Sequence, residues 1–206
     1  MGELHIIFAG IRAIGTFIDS SGIDDAWMAA KWFDSESLLR QVKECSNMKR
    51  ALATHEATYI AIQTMIIQEA LCWYGTDNWE CAEICEVIKS VRDSIKGNKA
   101  ESEKFKEAWC RMKSCMDALD LEKKIKEFID YHKHNCLLQF LIKYCNMVTR
   151  LFTFIEATRS RNWQLHLDAL EDMLADFASM DRINYRRLAA VYVADMKHLQ
   201  TSDLET

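Results

Sequence analysis

The densest group of side chains able to bind a metal or transfer a proton comprises His132, His134 and Cys136. Imidazole and thiolate groups are the usual protein ligands of zinc. Alternate residues on a helix point in different directions, so these three side chains converge only if the helix breaks there. The other interpretation is an exposed junction between two helices. We predict no metal site and keep the three residues as candidates.

Cys81 and Cys85 form a second candidate for metal binding, because they lie one helical turn apart. A tetrahedral zinc site needs two further ligands, and no second Cys or His pair with the spacing of a zinc finger lies nearby. Cysteine is also a common small core residue. The sequence therefore favours packing over metal binding at this pair.

His55 and Glu56, with Glu69 further along, could provide acid or base groups within the predicted central helix at 47–74. A buried histidine has its pKa moved by its surroundings, and a pocket between helices near His55 would then bind a small ligand or act as an enzyme site. A histidine hydrogen-bonded in a core is the alternative. Gly-rich phosphate loops, nucleophile elbows and paired zinc-protease histidines do not occur. We predict no catalytic residue and no cofactor.

The C-terminal third of the chain contains a run of arginines interleaved with Trp163 and Tyr185, which is typical of a nucleic-acid surface. The members are Arg150, Arg159, Arg161, Arg182, Arg186 and Arg187. We take Arg159, Arg161, Arg182 and Arg186 as the candidate phosphate contacts. Acidic residues lie between them, and the chain has a net charge of −5. Mixed charge is ordinary for a solvated surface, so nucleic acid is a disfavoured partner.

The elements that position these residues are predicted to be helices throughout. The chain of 206 residues has no proline, where about ten would be usual, and only six glycines. Hairpins need such turn residues, whereas apolar residues here recur every three or four positions. The predicted helices span 4–18, a short one containing Trp27, one capped by Ser35, then 47–74, 76–96, 105–119, 121–158 with a break near 132–135, 163–177 and 185–199.

This pattern predicts an all-α fold, a bundle or orthogonal array of about eight to nine helices without a β-sheet. We predict a single domain over residues 1–206, with a polar linker at 98–104 and any weak subdivision near 97–104. Asp181 is the predicted cap of the final helix.

The eight cysteines lie mostly within apolar helical stripes and not on loops. Residues 1–3 lack the basic region of a signal peptide, and the apolar stretch 4–18 contains Arg12 and is too short to span a bilayer. We therefore expect reduced thiols, an intracellular location in the cytoplasm or nucleus, and no membrane association.

Several segments together resemble a group of uncharacterised helical proteins multiplied in invertebrate genomes alongside mobile elements. They are AIGTF at 13–17, SGIDDAW at 21–27, MKRAL at 48–52, FIEATR at 154–159, NW at 162–163, LHL at 165–167, and NYR at 184–186 continuing through Tyr192 to Asp195-Met196. Relatives in that group are longer and carry prolines near the last helix, where this chain has Leu188-Ala189-Ala190. The resemblance implies no biochemical activity, and the alanine pair predicts an uninterrupted final helix.

Residues suited to a helical core account for nearly every notable position of the sequence. We therefore predict a non-enzymatic helical module for protein–protein interaction, with a protein partner or self-association. The six tryptophans and ten methionines provide material for an exposed apolar patch. Two alternatives remain: a nucleic-acid-associated domain of a mobile-element-derived protein, and a ligand binder or enzyme with a pocket near His55.

Overall fold

A computed structural model describes residues 2–74 and 121–202 of the chain, with side chains described as far as residue 198. These residues form eight α-helices: α1 Glu3–Phe17, α2 Ile23–Ala29, α3 Glu36–Lys43, α4 Met48–Trp73, α5 Leu121–Tyr131, α6 Cys136–Ser160, α7 Trp163–Ser179 and α8 Ile183–Ser202. No strand occurs in either described stretch, and the all-α prediction is confirmed. The helices predicted at 76–96 and 105–119, the linker at 98–104, and Cys81 and Cys85 lie outside the described residues.

Polar side chains cap several helix starts. Oγ of Ser35 accepts a hydrogen bond from the Leu38 amide at 3.4 Å, as predicted. Oδ1 of Asn162 accepts from the Leu165 amide at 3.1 Å and begins α7. The predicted break at 132–135 is confirmed, since α5 ends at Tyr131 and α6 begins at Cys136. Helix α8 continues through residues 188–190, as the alanine pair predicted.

Four helices end in the same way, with a left-handed residue that is not glycine. These residues are Lys31, Cys45, Arg161 and Asp181, with φ between 55° and 56°. In each case the next amide donates to a carbonyl five positions back, the Schellman arrangement. The prediction that Asp181 caps α8 is therefore wrong. Asp181 ends α7, and the carbonyl of Arg182 accepts the first bond of α8, from Arg186 at 3.0 Å.

The internal contacts divide the chain into unit 1, residues 1–59 and 142–206, and unit 2, residues 60–141. The boundaries fall inside α4 and α6. The single domain over 1–206 stays a prediction. In unit 1, α7 packs against α1 and α8, and α1 also contacts α3. At the last contact a Cβ on Gly15 would lie 2.3 Å from the Lys43 carbonyl oxygen, so only glycine allows the two helices to approach so closely.

The core of unit 1 is built from apolar stripes on its helices. The largest fully enclosed side chains there include Ile11, Ile14, Leu151, Phe154 and Phe177. In unit 2, Ile62, Ile66, Leu121 and Phe128 are buried. None of the described helices combines the length and apolar character needed to span a bilayer.

Candidate functional site

His55 lies in the core of unit 1, where α4 carries it into contact with α6. The side chain is fully buried, and its Nδ1 lies 3.0 Å from the hydroxyl of Tyr144, which is also fully buried. The two rings are tilted at 50° with centroids 6.1 Å apart. The two residues are 89 positions apart in sequence, so the pair exists only because α4 and α6 pack together.

A second buried polar contact adjoins the pair. Nε1 of Trp27 donates to Oγ1 of Thr58 at 2.8 Å, and the Thr58 hydroxyl donates to the carbonyl of Thr54 at 2.8 Å. The Trp27 ring meets the His55 ring edge-on, with centroids 5.8 Å apart. Nε2 of His55 is buried without a hydrogen-bond partner in the described part of the chain.

Burial controls the protonation of both members of the pair. Desolvation lowers the pKa of His55 from 6.5 to about 4, so the imidazole is neutral at pH 7. Desolvation also raises the pKa of Tyr144 far above its usual value, although a hydrogen bond with the Thr58 side chain opposes this shift. The pair is therefore an uncharged hydrogen bond at neutral pH.

The carboxylates that the sequence placed near His55 are not part of this cluster. Glu56 and Glu69 are both exposed on α4. His55 lines neither the groove formed by α1, the end of α3 and Arg182 nor the groove between α2 and α3. The Trp27, Thr58 and Tyr144 contacts were not predicted. The only feature of the sequence that could have indicated these contacts is a polar side chain among the apolar positions of a helix.

The candidate metal ligands His132, His134 and Cys136 lie at the junction between α5 and α6. Nδ1 of His132 is 3.0 Å from the Phe128 carbonyl, and the thiol of Cys136 is 3.9 Å from the carbonyl of His134. His134 and Cys136 are exposed. Within residues 2–74 and 121–202, no three metal-binding side chains are placed to hold an ion. The structure thus places the three residues at a junction between two helices, and whether they bind a metal stays a prediction.

The arginines of the C-terminal third lie in three kinds of environment. Arg159, Arg161 and Arg186 are exposed. Nη1 of Arg150 donates to both carboxylate oxygens of the buried Asp176, at 2.9 and 3.0 Å. Arg182 is half-buried, and its Nη2 donates to the Thr16 hydroxyl at 3.1 Å. The candidates therefore do not share one environment.

The outward side of α8 carries apolar side chains in water. Ala189 and Val193 are buried on the inner side of the helix, whereas Leu188 is 57% exposed and Val191 is 59% exposed. The exposed residues Arg187, Leu188, Val191, Ala194 and Asp195 share one side of the helix at its 3.6-residue period. We call these five residues the outer face of α8.

Comparison with known protein families gives a match over the full length of the chain. The model of the family described as "Domain of unknown function (DUF8702)" matches residues 1–206. No curated protein and no solved structure matches the chain. Because the family model covers the whole chain, this all-α protein belongs to the DUF8702 family.

Proposed function

We propose that this chain is a helical protein–protein interaction module that self-associates through the outer face of α8. The observation behind the proposal is the pair Leu188 and Val191, each more than half exposed and less than one helical turn apart. Burial against a partner would remove their apolar surface from water, and each Å² buried would contribute about 25 cal/mol of favourable free energy. Exposed apolar patches of this kind often mark interfaces between proteins.

The charges on this face favour a second copy as the partner. Arg187 and Asp195 lie four residues before and after Val191, and both are exposed. Two α8 helices paired antiparallel about Val191 would place Arg187 of each copy beside Asp195 of the other. The same contact then occurs twice, as a two-fold symmetric interface requires. Leu188 would meet Ala194 in the same arrangement.

The proposal is tested by measuring molar mass across a concentration series with sedimentation velocity. We expect the wild type to dimerise and V191D to remain monomeric, because the substitution would bury a carboxylate at the centre of the interface. L137D is the matched control, since Leu137 is 65% exposed on α6 and lies outside this face. A monomeric wild type, or equal loss of dimer in L137D, would contradict the proposal.

Charge reversal examines the antiparallel register specifically. R187D would place two acidic side chains together in each half of the interface, and the dimer should weaken. D195R should weaken it similarly by placing two basic groups together. Combining R187D with D195R in one chain restores opposite charges and should restore dimerisation. If the double variant is as weak as either single variant, the register is wrong.

The exposed Arg159, Arg161 and Arg186 support a second candidate, a nucleic-acid-associated domain. This function fits the resemblance to proteins multiplied with mobile elements in invertebrate genomes. Affinity would then fall with salt, with a log–log slope of about −0.9 per phosphate contacted on duplex DNA. R161A combined with R186A should reduce that slope by about two. We expect no binding at physiological salt, and salt-dependent binding that the double variant loses would favour this second function.

We also propose an intracellular location, supported by thiols at Cys45, Cys72 and Cys136. Mass measurement of alkylated, unfolded protein should count eight reactive thiols. Two or more disulfides in freshly isolated protein would contradict this location.

A further inference from the structure

A groove of about 450 Å³ lies on unit 1, lined by residues of α1, the end of α3 and the turn before α8. Its volume is within the range of about 300–1,000 Å³ that small-molecule sites occupy. The groove brings together two guanidinium groups, those of Arg12 and Arg182, which lie 170 positions apart in sequence. Arg182 was predicted to lie on an arginine-rich surface, and no binding role was predicted for Arg12.

Neither guanidinium is paired with a carboxylate in the residues that the structure describes. Nε of Arg12 donates to the main-chain carbonyl of Glu44 at 2.9 Å. Nη2 of Arg182 donates to the Thr16 hydroxyl at 3.1 Å and to the main-chain carbonyl of Arg12 at 3.4 Å. All three acceptors are neutral oxygens, so the positive charges of both groups stay uncompensated by these contacts.

The acidic side chains of the groove already have cationic partners. Asp19 forms an ion pair with Lys43, whose Nζ is also 3.4 Å from Asp24. The Glu44 carboxylate lies 4.0 Å from Nε of Arg40. These pairs leave Arg12 and Arg182 as the source of positive potential in the groove.

The Nε–H of Arg182 is a further donor that remains unused, and it lies beneath the surface of the groove. It is buried and has no hydrogen-bond acceptor among the described residues. A buried donor of a charged group is unfavourable without an acceptor, and such atoms in native proteins require an explanation. An oxyanion in the groove would instead accept hydrogen bonds from the Nη atoms of the two guanidinium groups and compensate their charge.

We infer that this groove binds the phosphate group of a small phosphorylated molecule between Arg12 and Arg182. The oxyanion accepts hydrogen bonds from both guanidinium groups, and the rest of the groove holds the organic part of the ligand. The close approach of α1 and α3 at Gly15 fixes the wall that carries Arg12. This inference is independent of the proposed dimer, because neither arginine belongs to the outer face of α8.

Calorimetric titration of the full chain with inorganic phosphate and, separately, with adenosine monophosphate tests the inference at constant ionic strength. We expect both probes to bind, and the nucleotide to bind more tightly if the groove contacts its organic part. R12Q and R182Q should each weaken the binding of both probes by about tenfold or more, the usual consequence of losing a charged hydrogen-bond donor. R159Q is the matched control, because Arg159 is exposed on α6 and does not line the groove.

The fold of each variant is checked by circular dichroism and thermal unfolding. Arg12 is exposed, so R12Q decides the outcome if R182Q fails to fold. R182K keeps the charge but removes the fork, and it should bind more weakly than wild type. Absence of binding by both probes at millimolar concentration, or equal weakening in R159Q and R12Q, would overturn the inference. Nucleotide binding that R12Q leaves unchanged would overturn it as well.

Discussion

His55 in unit 1 and His132 in unit 2 show how differently the two regions of the molecule use a histidine surrounded by aromatic rings. His55 is fully buried, bonded to Tyr144, and has its pKa lowered to about 4. His132 is half-buried at a helix junction, with its Nδ1 3.0 Å from the Phe128 carbonyl. Its ring centroid is 4.5 Å from that of Phe128 and 4.9 Å from that of Tyr131, which is 70% exposed.

The comparison shows that burial, and not the local density of reactive residue types, determines the chemistry of these histidines. In the sequence, residues 132–136 are the densest group of reactive side chains, because three potential metal ligands occur there together. The structure instead isolates one histidine in the core and leaves it neutral, because removing a charge from water is costly. Three pairs of matched substitutions follow from this difference.

The first pair of substitutions removes the tyrosine that contacts each histidine, and the largest loss of stability is expected for Y144A. Y144A should lower the free energy of unfolding by about 3–5 kcal/mol, because it empties a fully buried site and leaves His55 without its hydrogen bond. Y131A should change it by less than about 0.5 kcal/mol, since that side chain is mostly in water. Urea denaturation measures both values, and equal losses would remove the distinction between the two regions.

The second effect is the dependence of stability on pH. The pKa of His55 is 6.5 when unfolded and about 4 when folded, so between these values the unfolded chain binds more protons. Stability is therefore lost as pH falls from 6.5 towards 4, by about 3 kcal/mol for a shift of this size.

The measurement is urea denaturation at several pH values between 7 and 4. H55Q should flatten the dependence, whereas H132Q should retain it. His166, whose pKa is lowered by burial against the opposing influence of Glu3, contributes in the same direction in all three proteins. An H55Q profile parallel to that of wild type would show that His55 is accessible to protons in the folded state.

The smallest effect compares two threonines of α4. The Thr58 hydroxyl accepts the buried Trp27 N–H beside His55, whereas the Thr64 hydroxyl donates to the Ile60 carbonyl one turn before it. T58V leaves the indole N–H without its acceptor and should cost about 1–3 kcal/mol. T64V has nearly the same shape and should stay within about 0.5 kcal/mol. Similar costs for both would mean that the indole N–H finds another acceptor.

Local sequence patterns were sufficient to predict the helices but not their contacts. Period and turn composition predicted the all-α fold, the cap at Ser35 and the break before Cys136, because these depend on residues within one or two turns. The junction at Asp181 was misassigned because aspartate is common both as an N-cap and in left-handed turns.

The candidate sites depend on residues that are distant in sequence. Tyr144 reaches His55 only through the packing of α4 against α6, and Arg182 reaches Arg12 only through the packing around α1. No local pattern contains that information. The exposed side of α8 is the side that α7 does not cover. Apolar residues are distributed nearly uniformly around α8, so the sequence of that helix does not show which side is exposed.

The left-handed turns at Lys31, Cys45, Arg161 and Asp181 have a consequence for how fast the chain folds. Compact proteins often change direction at proline, and each prolyl bond in the unfolded chain then equilibrates between two isomers over tens of seconds. These four helix ends use ordinary residues instead, and the chain contains no proline. Every unfolded molecule of this chain therefore starts refolding without a prolyl isomer to correct, and no slow phase from that source is expected.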